Sequence, residues 1–162
     1  MAATKLVLDN FEVDTFYLCA IHANMPSYKM AFLLNRHLGL GFSRAESDVE
    51  VYSLEHTEIY PRYIFEDTIN YNTFTLIKNK CIVKKSLNTK TSNLFINDSS
   101  QEIVKNLIPQ YKNVDYIVKI ETDSESYPLK LLVSNIINIT QVITAFEVNY
   151  QTIKTKTNLI FE

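Results

Sequence analysis

IPQYKNVDY, residues 108–116, joins two patterns that together set the fold class. Upstream, Ser99 and Glu102 have capping-box spacing, and Ile103, Val104, Leu107 and Ile108 recur at roughly helical intervals. That spacing predicts a short helix. Pro109, which lacks a backbone donor, should end it. Downstream, Val114, Tyr116, Val118 and Ile120 alternate with Asp115, Ile117 and Lys119, which predicts a strand with one strongly apolar face. The stretch therefore reads as a helix-to-strand corner feeding the C-terminal half of the chain.

Beyond the strand, residues 122–126 are polar and acidic. Leu129, Leu132, Val133, Ile136 and Ile137 then form a helical stripe with Pro128 in its first turn. A strand is expected over 142–148, a polar tail over 151–157, and an apolar end at 159–161 that docks back on the body. Towards the N-terminus, 15–23 (TFYLCAIHA) reads as a strand buried on both faces, and 5–8 as a short strand or arm. A helix starts near Pro26, with Asn24 or Ser27 as cap. Met30, Leu33, Leu34 and Leu38 are its apolar stripe, and Gly39 is its left-handed C-terminal cap. Residues 42–83 carry β patterns at 42–45, 49–54, 60–65 and 72–83, with a hairpin turn at 67–72. Residues 84–93 read as a polar loop and 94–96 as a short strand.

The order implies one α+β domain over 1–162: a mostly antiparallel sheet with two or three helices packed mainly on one face. Strand, helix and strand over 115–148 match, by element order alone, half of a ferredoxin-like or ACT-like domain.

IPQYKNVDY resembles the signature of the IPExxxVDY family. Eight of its nine positions fit, the three free ones included, and Gln110 stands where the pattern has Glu. YKMAFLLNRHLGLGF (28–42) resembles the family's N-terminal helix and NLIFE (158–162) its C-terminus. The resemblance covers most of the chain. It implies a small cytoplasmic bacterial protein and implies no particular activity.

The chain has 162 residues, 46% of them hydrophobic, enough for a core without disulfide or metal staples. A net charge of −2 gives no basic excess of the kind that marks a general nucleic-acid binder. Two glycines, Gly39 and Gly41, rule out a Walker A loop or a dinucleotide fingerprint. Cys19 and Cys81 lie in apolar surroundings and read as reduced core thiols. The first residues hold no apolar run of signal-peptide length, and no stretch approaches the roughly 18 apolar residues of a spanning helix. A cytoplasmic protein away from membranes is expected.

His22, His37 and His56 form no metal-ligand spacing with each other or with the cysteines, so neither a metal nor a cofactor is expected. No GxSxG elbow occurs. The acidic pairs Glu66–Asp67 and Glu121/Asp123 read as solvated turns. Asp115 opens an apolar strand. Its expected role is to accept backbone donors from the 109–113 connection, with a partner-binding carboxylate as the alternative.

Arg36, Arg44 and Arg62 are the only arginines among 16 basic residues, and arginine commonly anchors interfaces. Arg36 and Arg44 flank the GLGF turn and are expected to lie close together. Tyr28, Tyr60 and Tyr63 are candidates for exposed aromatics beside them. Lys78, Lys80, Lys84, Lys85 and Lys90 form a basic run that would suit RNA, or else protects a hairpin end from edge aggregation. The favoured function is a non-catalytic binding module, an accessory subunit or adaptor on a protein or ribonucleoprotein partner. A homodimer is compatible with it. The alternative is an ACT-like small-molecule sensor with a polar pocket at a strand-to-helix turn, at 24–28 or 123–127. An enzyme of unrecognised type stands third.

Overall fold

The strand that residues 108–115 feed, Tyr116–Thr122, lies inside a six-stranded sheet and is hydrogen-bonded along both edges. The computed structural model describes residues 16–86 and 100–161. Its elements in chain order begin with β1 (Phe16–His22), α1 (Ser27–Leu38), β2 (Ser43–Arg44), β3 (Val49–Tyr52) and β4 (Thr57–Tyr60). β5 (Arg62–Asp67), β6 (Asn72–Lys78), β7 (Lys80–Ser86) and β8 (Ser100–Asn106) follow. β9 (Tyr116–Thr122), α2 (Leu129–Ile137) and β10 (Thr144–Val148) close the regular part, before two short 3-10 turns.

The main sheet runs β10-β1-β9-β6-β5-β2 with every neighbour antiparallel. Taking β1, α1, β6, β9, α2 and β10 alone gives β-α-β-β-α-β with strand order 4-1-3-2, the order of a ferredoxin-like split βαβ unit. β5 and β2 widen that sheet. β3–β4 and β7–β8 are separate two-stranded ribbons. The α+β class with a mostly antiparallel sheet is as the sequence pattern implied. No described helix is long and apolar enough to cross a membrane.

The two helices share one face. Met30, Leu33 and Leu34 of α1 and Leu132 and Ile136 of α2 are buried with Cys19, Ile21, Leu76, Tyr116, Val118 and Ile120. Fully burying each such aliphatic side chain contributes about 1.5–3 kcal/mol. Gly39 ends α1 at φ +66°, where a side chain would be strained, and its N–H donates to Asn35 O. The N-terminal residue position is Pro26, with no side-chain cap, so neither Asn24 nor Ser27 serves as one.

The opposite face is covered as well, and the expectation of one apolar face on β9 is corrected. Leu18, Ala20 and Ile117 pack under Ile108, Val114, Ile153 and Leu159, so the C-terminal segment does dock back. Lys119 is buried on this strand. It is kept there by its bond to Glu121 Oε1 at 2.6 Å and by the rings of Phe16 and Phe161 near its ammonium.

The helix expected before Pro109 is a strand, β8, paired with β7 from Lys80↔Asn106 to Ser86↔Ser100. The helical spacing there was coincidental. Leu107 and Ile108 lie past the strand and enter different clusters, Leu107 with Tyr60 and Ile77, and Ile108 with Leu18 and Ile117. The expected strand at 72–83 is divided by Asn79 into β6 and β7, and Pro61 leaves Tyr60 of the expected 60–65 strand in β4 and the rest in β5. Residues 84–86 continue β7 instead of opening a loop. The hairpin at 67–72 forms as expected, with Asp67 Oδ1 accepting the N–H groups of Ile69 and Asn70 at 3.1 Å. The segments 5–8, 87–93 and 94–96, with Ser99, lie outside the described residues.

Candidate functional site

Asn79 builds the corner from which Asp115 projects. Its side chain is fully buried, and every polar atom on it is used. Nδ2 donates to Tyr111 O and Val114 O, both at 2.9 Å, and Oδ1 accepts from Ile108 N at 2.9 Å. Its backbone N–H donates to Asp115 O at 2.8 Å, and its carbonyl accepts from Leu107 N at 2.9 Å. The 107–115 connection is therefore hung on one amide. Asp115 N–H donates to Ile21 O at 3.0 Å, which extends the β1–β9 ladder by one residue and fixes where the carboxylate points.

That carboxylate collects three donors from two segments, the end of β1 and the start of β7. Lys80 Nζ donates to Oδ1 at 2.7 Å. Ala23 N–H donates to Oδ2 at 3.0 Å, and His22 Nδ1 lies 2.5 Å from the same oxygen. An ionised carboxylate only accepts, so Nδ1 carries the proton, and Nε2 of a neutral ring keeps its lone pair. Burial pushes the Asp115 carboxyl up, but the bonds from Lys80, His22 and Ala23 outweigh it and hold the group below its usual range. The backbone donor comes from Ala23 at the end of β1, not from the 109–113 connection as expected.

Two clefts meet at this cluster. One, of about 610 Å³, is lined by Met25, Ile59, Lys78, Lys80, Ile82 and Val104, with Asp115 also on its wall. The other, of about 480 Å³, is lined by His22, Lys80, Tyr111, Lys112, Thr144 and Phe146. Lys80 belongs to both. Among the described residues no serine or cysteine lines the second cleft. Cys81 lines the first, but burial pushes its thiol up and so disfavours the nucleophilic thiolate. Burial pushes the Cys19 thiol up to about 12. Among the described residues no three His, Cys, Asp or Glu side chains are placed to hold a metal ion.

Arg44 and Arg62 are held by the chain itself. Both terminal nitrogens of Arg44 reach the Asp48 carboxylate, the NH2 contact measuring 2.7 Å, and NH1 also donates to Arg62 O at 2.8 Å. Arg62 donates from Nε to Ser47 O at 3.1 Å and from NH2 to Ser47 Oγ at 2.8 Å. These bonds fold the 45–48 turn onto β5. Arg36 stands exposed in the last turn of α1. Tyr28 is exposed on α1, whereas Tyr60 and Tyr63 are buried and belong to the core. Arg44 lies over the Tyr63 ring at 5.4 Å. Of the lysine run, Lys78 and Lys80 line the first cleft, and Lys84 is exposed on β7 opposite Glu102. Lys85 sits in β7, and Lys90 lies outside the described residues.

Sequence reasoning singled out Asp115 but missed its partners. His22 carried no sequence signal for this role, because its partner lies 93 residues away. Asn79 had a signal: a lone asparagine between two lysines in an otherwise β-forming run, a residue depleted in strands. Gln110 is also explained. Its Nε2 donates to Thr152 O at 2.9 Å and its Oε1 accepts from Lys154 N at 2.8 Å.

No protein-family model matches the chain. No curated protein matches it, and no solved structure does.

Proposed function

We propose that the chain is a non-catalytic binding module, an accessory subunit or adaptor, and that its docking surface is the 610 Å³ cleft beside Asp115. The observation that supports this reading is the composition of that wall. Ile59, Ile82 and Val104 are 51%, 66% and 58% exposed, although Ile82 and Val104 face each other across the β7–β8 ribbon. Lys78 and Lys80 line the same cleft, Lys80 bonded to Asp115. An exposed apolar wall with lysines beside it suits an acidic protein segment with apolar side chains.

The test compares affinity capture by the wild-type chain and by an Ile82→Glu/Val104→Glu variant, with and without RNase. A stoichiometric protein partner that survives RNase and is lost by the variant is the expected result. The same partner on both proteins, or none on the wild type, overturns the reading. A partner lost on RNase treatment transfers the lysines to an RNA role.

The ACT-like sensor is the second reading. It is supported by the 4-1-3-2 strand order and by Asn24 and Met25, at the β1–α1 turn, on the rim of the same cleft. The family resemblance at 108–116, and the bacterial cytoplasmic setting it implies, belong with the proposal. A homodimer is compatible with either reading.

A further inference from the structure

The cleft on the other side of Asp115 has a different chemistry. Lys80, Lys112 and His22 line it, and among the described residues no aspartate or glutamate does. Asp115 offsets part of the Lys80 and His22 charge from behind. Lys112 makes no side-chain hydrogen bond or ion pair among the described residues, and only its carbonyl is engaged, by Asn106 Nδ2 at 3.5 Å. The cleft wall is aromatic: Tyr111 and Phe146 pack with ring centroids 6.1 Å apart. Thr144 adds a hydroxyl at its rim, opposite His22 in the β1–β10 register. A volume of about 480 Å³ lies within the range of small-molecule clefts and suits a ligand the size of a single nucleotide.

We infer that this cleft binds a small phosphorylated ligand carrying a planar group. The phosphate would sit between Lys112, Lys80 and the His22 ring, and the planar group would lie against Tyr111 and Phe146. Two features favour phosphate over a simple carboxylate. Lys112, Lys80 and His22 all line one cleft, and a phosphate near neutral pH offers both acceptor oxygens and an O–H. The O–H matches the lone pair on His22 Nε2 when the ring is neutral. Asp115 then acts as the group that aims His22 and Lys80, positioned by Asn79 and β1. This inference does not rest on the docking cleft, with which it shares only Lys80.

The experiment is an amide chemical-shift titration of the full chain with adenosine 5′-monophosphate, adenosine and inorganic phosphate in turn. Saturable shifts centred on 110–114 and 144–146 are expected with the monophosphate, weaker ones with phosphate, and none with adenosine at equal concentration. Lys112→Gln should weaken monophosphate binding about tenfold, as loss of a charge-assisted bond does. Phe146→Ser should erase the advantage of the monophosphate over phosphate. Lys84→Gln, on an exposed lysine outside the cleft, should change neither. Melting temperatures of the variants separate lost binding from lost folding. Absence of saturation, equal binding of adenosine and its monophosphate, or an unchanged affinity in Lys112→Gln overturns the proposal.

Discussion

Gln110 and Thr152 are tied side chain to backbone across 42 residues, Nε2 donating to the carbonyl at 2.9 Å. The same amide accepts from Lys154 N–H at 2.8 Å. One neutral amide thus closes the C-terminal segment over the signature corner, and only a group with one donor and one acceptor can do so. Glutamate, the residue of the resembled motif, can accept from Lys154 but would set a carboxylate oxygen against the Thr152 carbonyl. Gln110→Glu should therefore be less stable than wild type by about 0.5–1.5 kcal/mol in urea unfolding, close to Gln110→Ala. A glutamate variant as stable as wild type would show that the pair contributes nothing net.

Asn79 is the second prediction. Removing its amide leaves Ile108 N–H, Tyr111 O and Val114 O without a partner in a buried corner. Each unsatisfied buried group costs about 1–3 kcal/mol, with partial relief where the backbone relaxes. Asn79→Ala should lose about 3 kcal/mol or more in urea unfolding with an unchanged slope. Asn79→Asp should fare little better, because its second oxygen would face the two carbonyls. A loss below about 1 kcal/mol for Asn79→Ala would mean the connection holds without the amide.

The helices, the β9 strand and the Gly39 stop were legible because each depends on neighbours within one or two turns of chain. The apolar stripe of α1 is local, and so is the Asp67 turn. The β8 strand was not legible. Ile103 and Val104 fit a helical interval, and what decides their state is pairing with Val83 and Ile82, some twenty residues upstream. The site was half legible for the same reason. Asp115 stood out as an acid in an apolar strand, but His22 and Ala23 reach it only once β1 pairs with β9, and Lys80 only once β6, which leads through Asn79 into β7, pairs with β9. Tyr63 was misplaced because alternation assigns a face to a residue without saying which faces are covered.

Arg36 and Arg44 should now part company. Arg44 holds Asp48 and the Arg62 carbonyl, whereas Arg36 stands exposed on α1. Arg36→Glu should leave the melting temperature within experimental scatter. Arg44→Glu places a second carboxylate beside Asp48 and should lower it measurably. Arg44→Gln should lie between, since it removes the charge without adding repulsion. Equal melting temperatures for the two glutamate variants would mean that the 45–48 turn does not need its arginine.

The carboxylate of Asp115 sets the last prediction, a dependence on pH. Burial raises its pKa, and the bonds from Lys80, His22 and the Ala23 N–H lower it by more, so the folded value lies under the usual one. An unfolded aspartate titrates near 3.9, roughly. A group depressed in the folded state stabilises fully above the unfolded value, and that contribution is lost as pH falls through the folded one. Wild type should therefore lose stability on going from pH 7 to about pH 3, and Asp115→Asn should lose less over the same interval. The variant should be the less stable of the two at pH 7, with the gap narrowing in acid. The acid limb will not vanish. Asp48, held down by its bond to Arg44, and Asp67, held down by Asn70, are depressed as well. Urea midpoints at the two pH values decide the matter: a gap of constant size would mean that ionised Asp115 is not what the three donors stabilise.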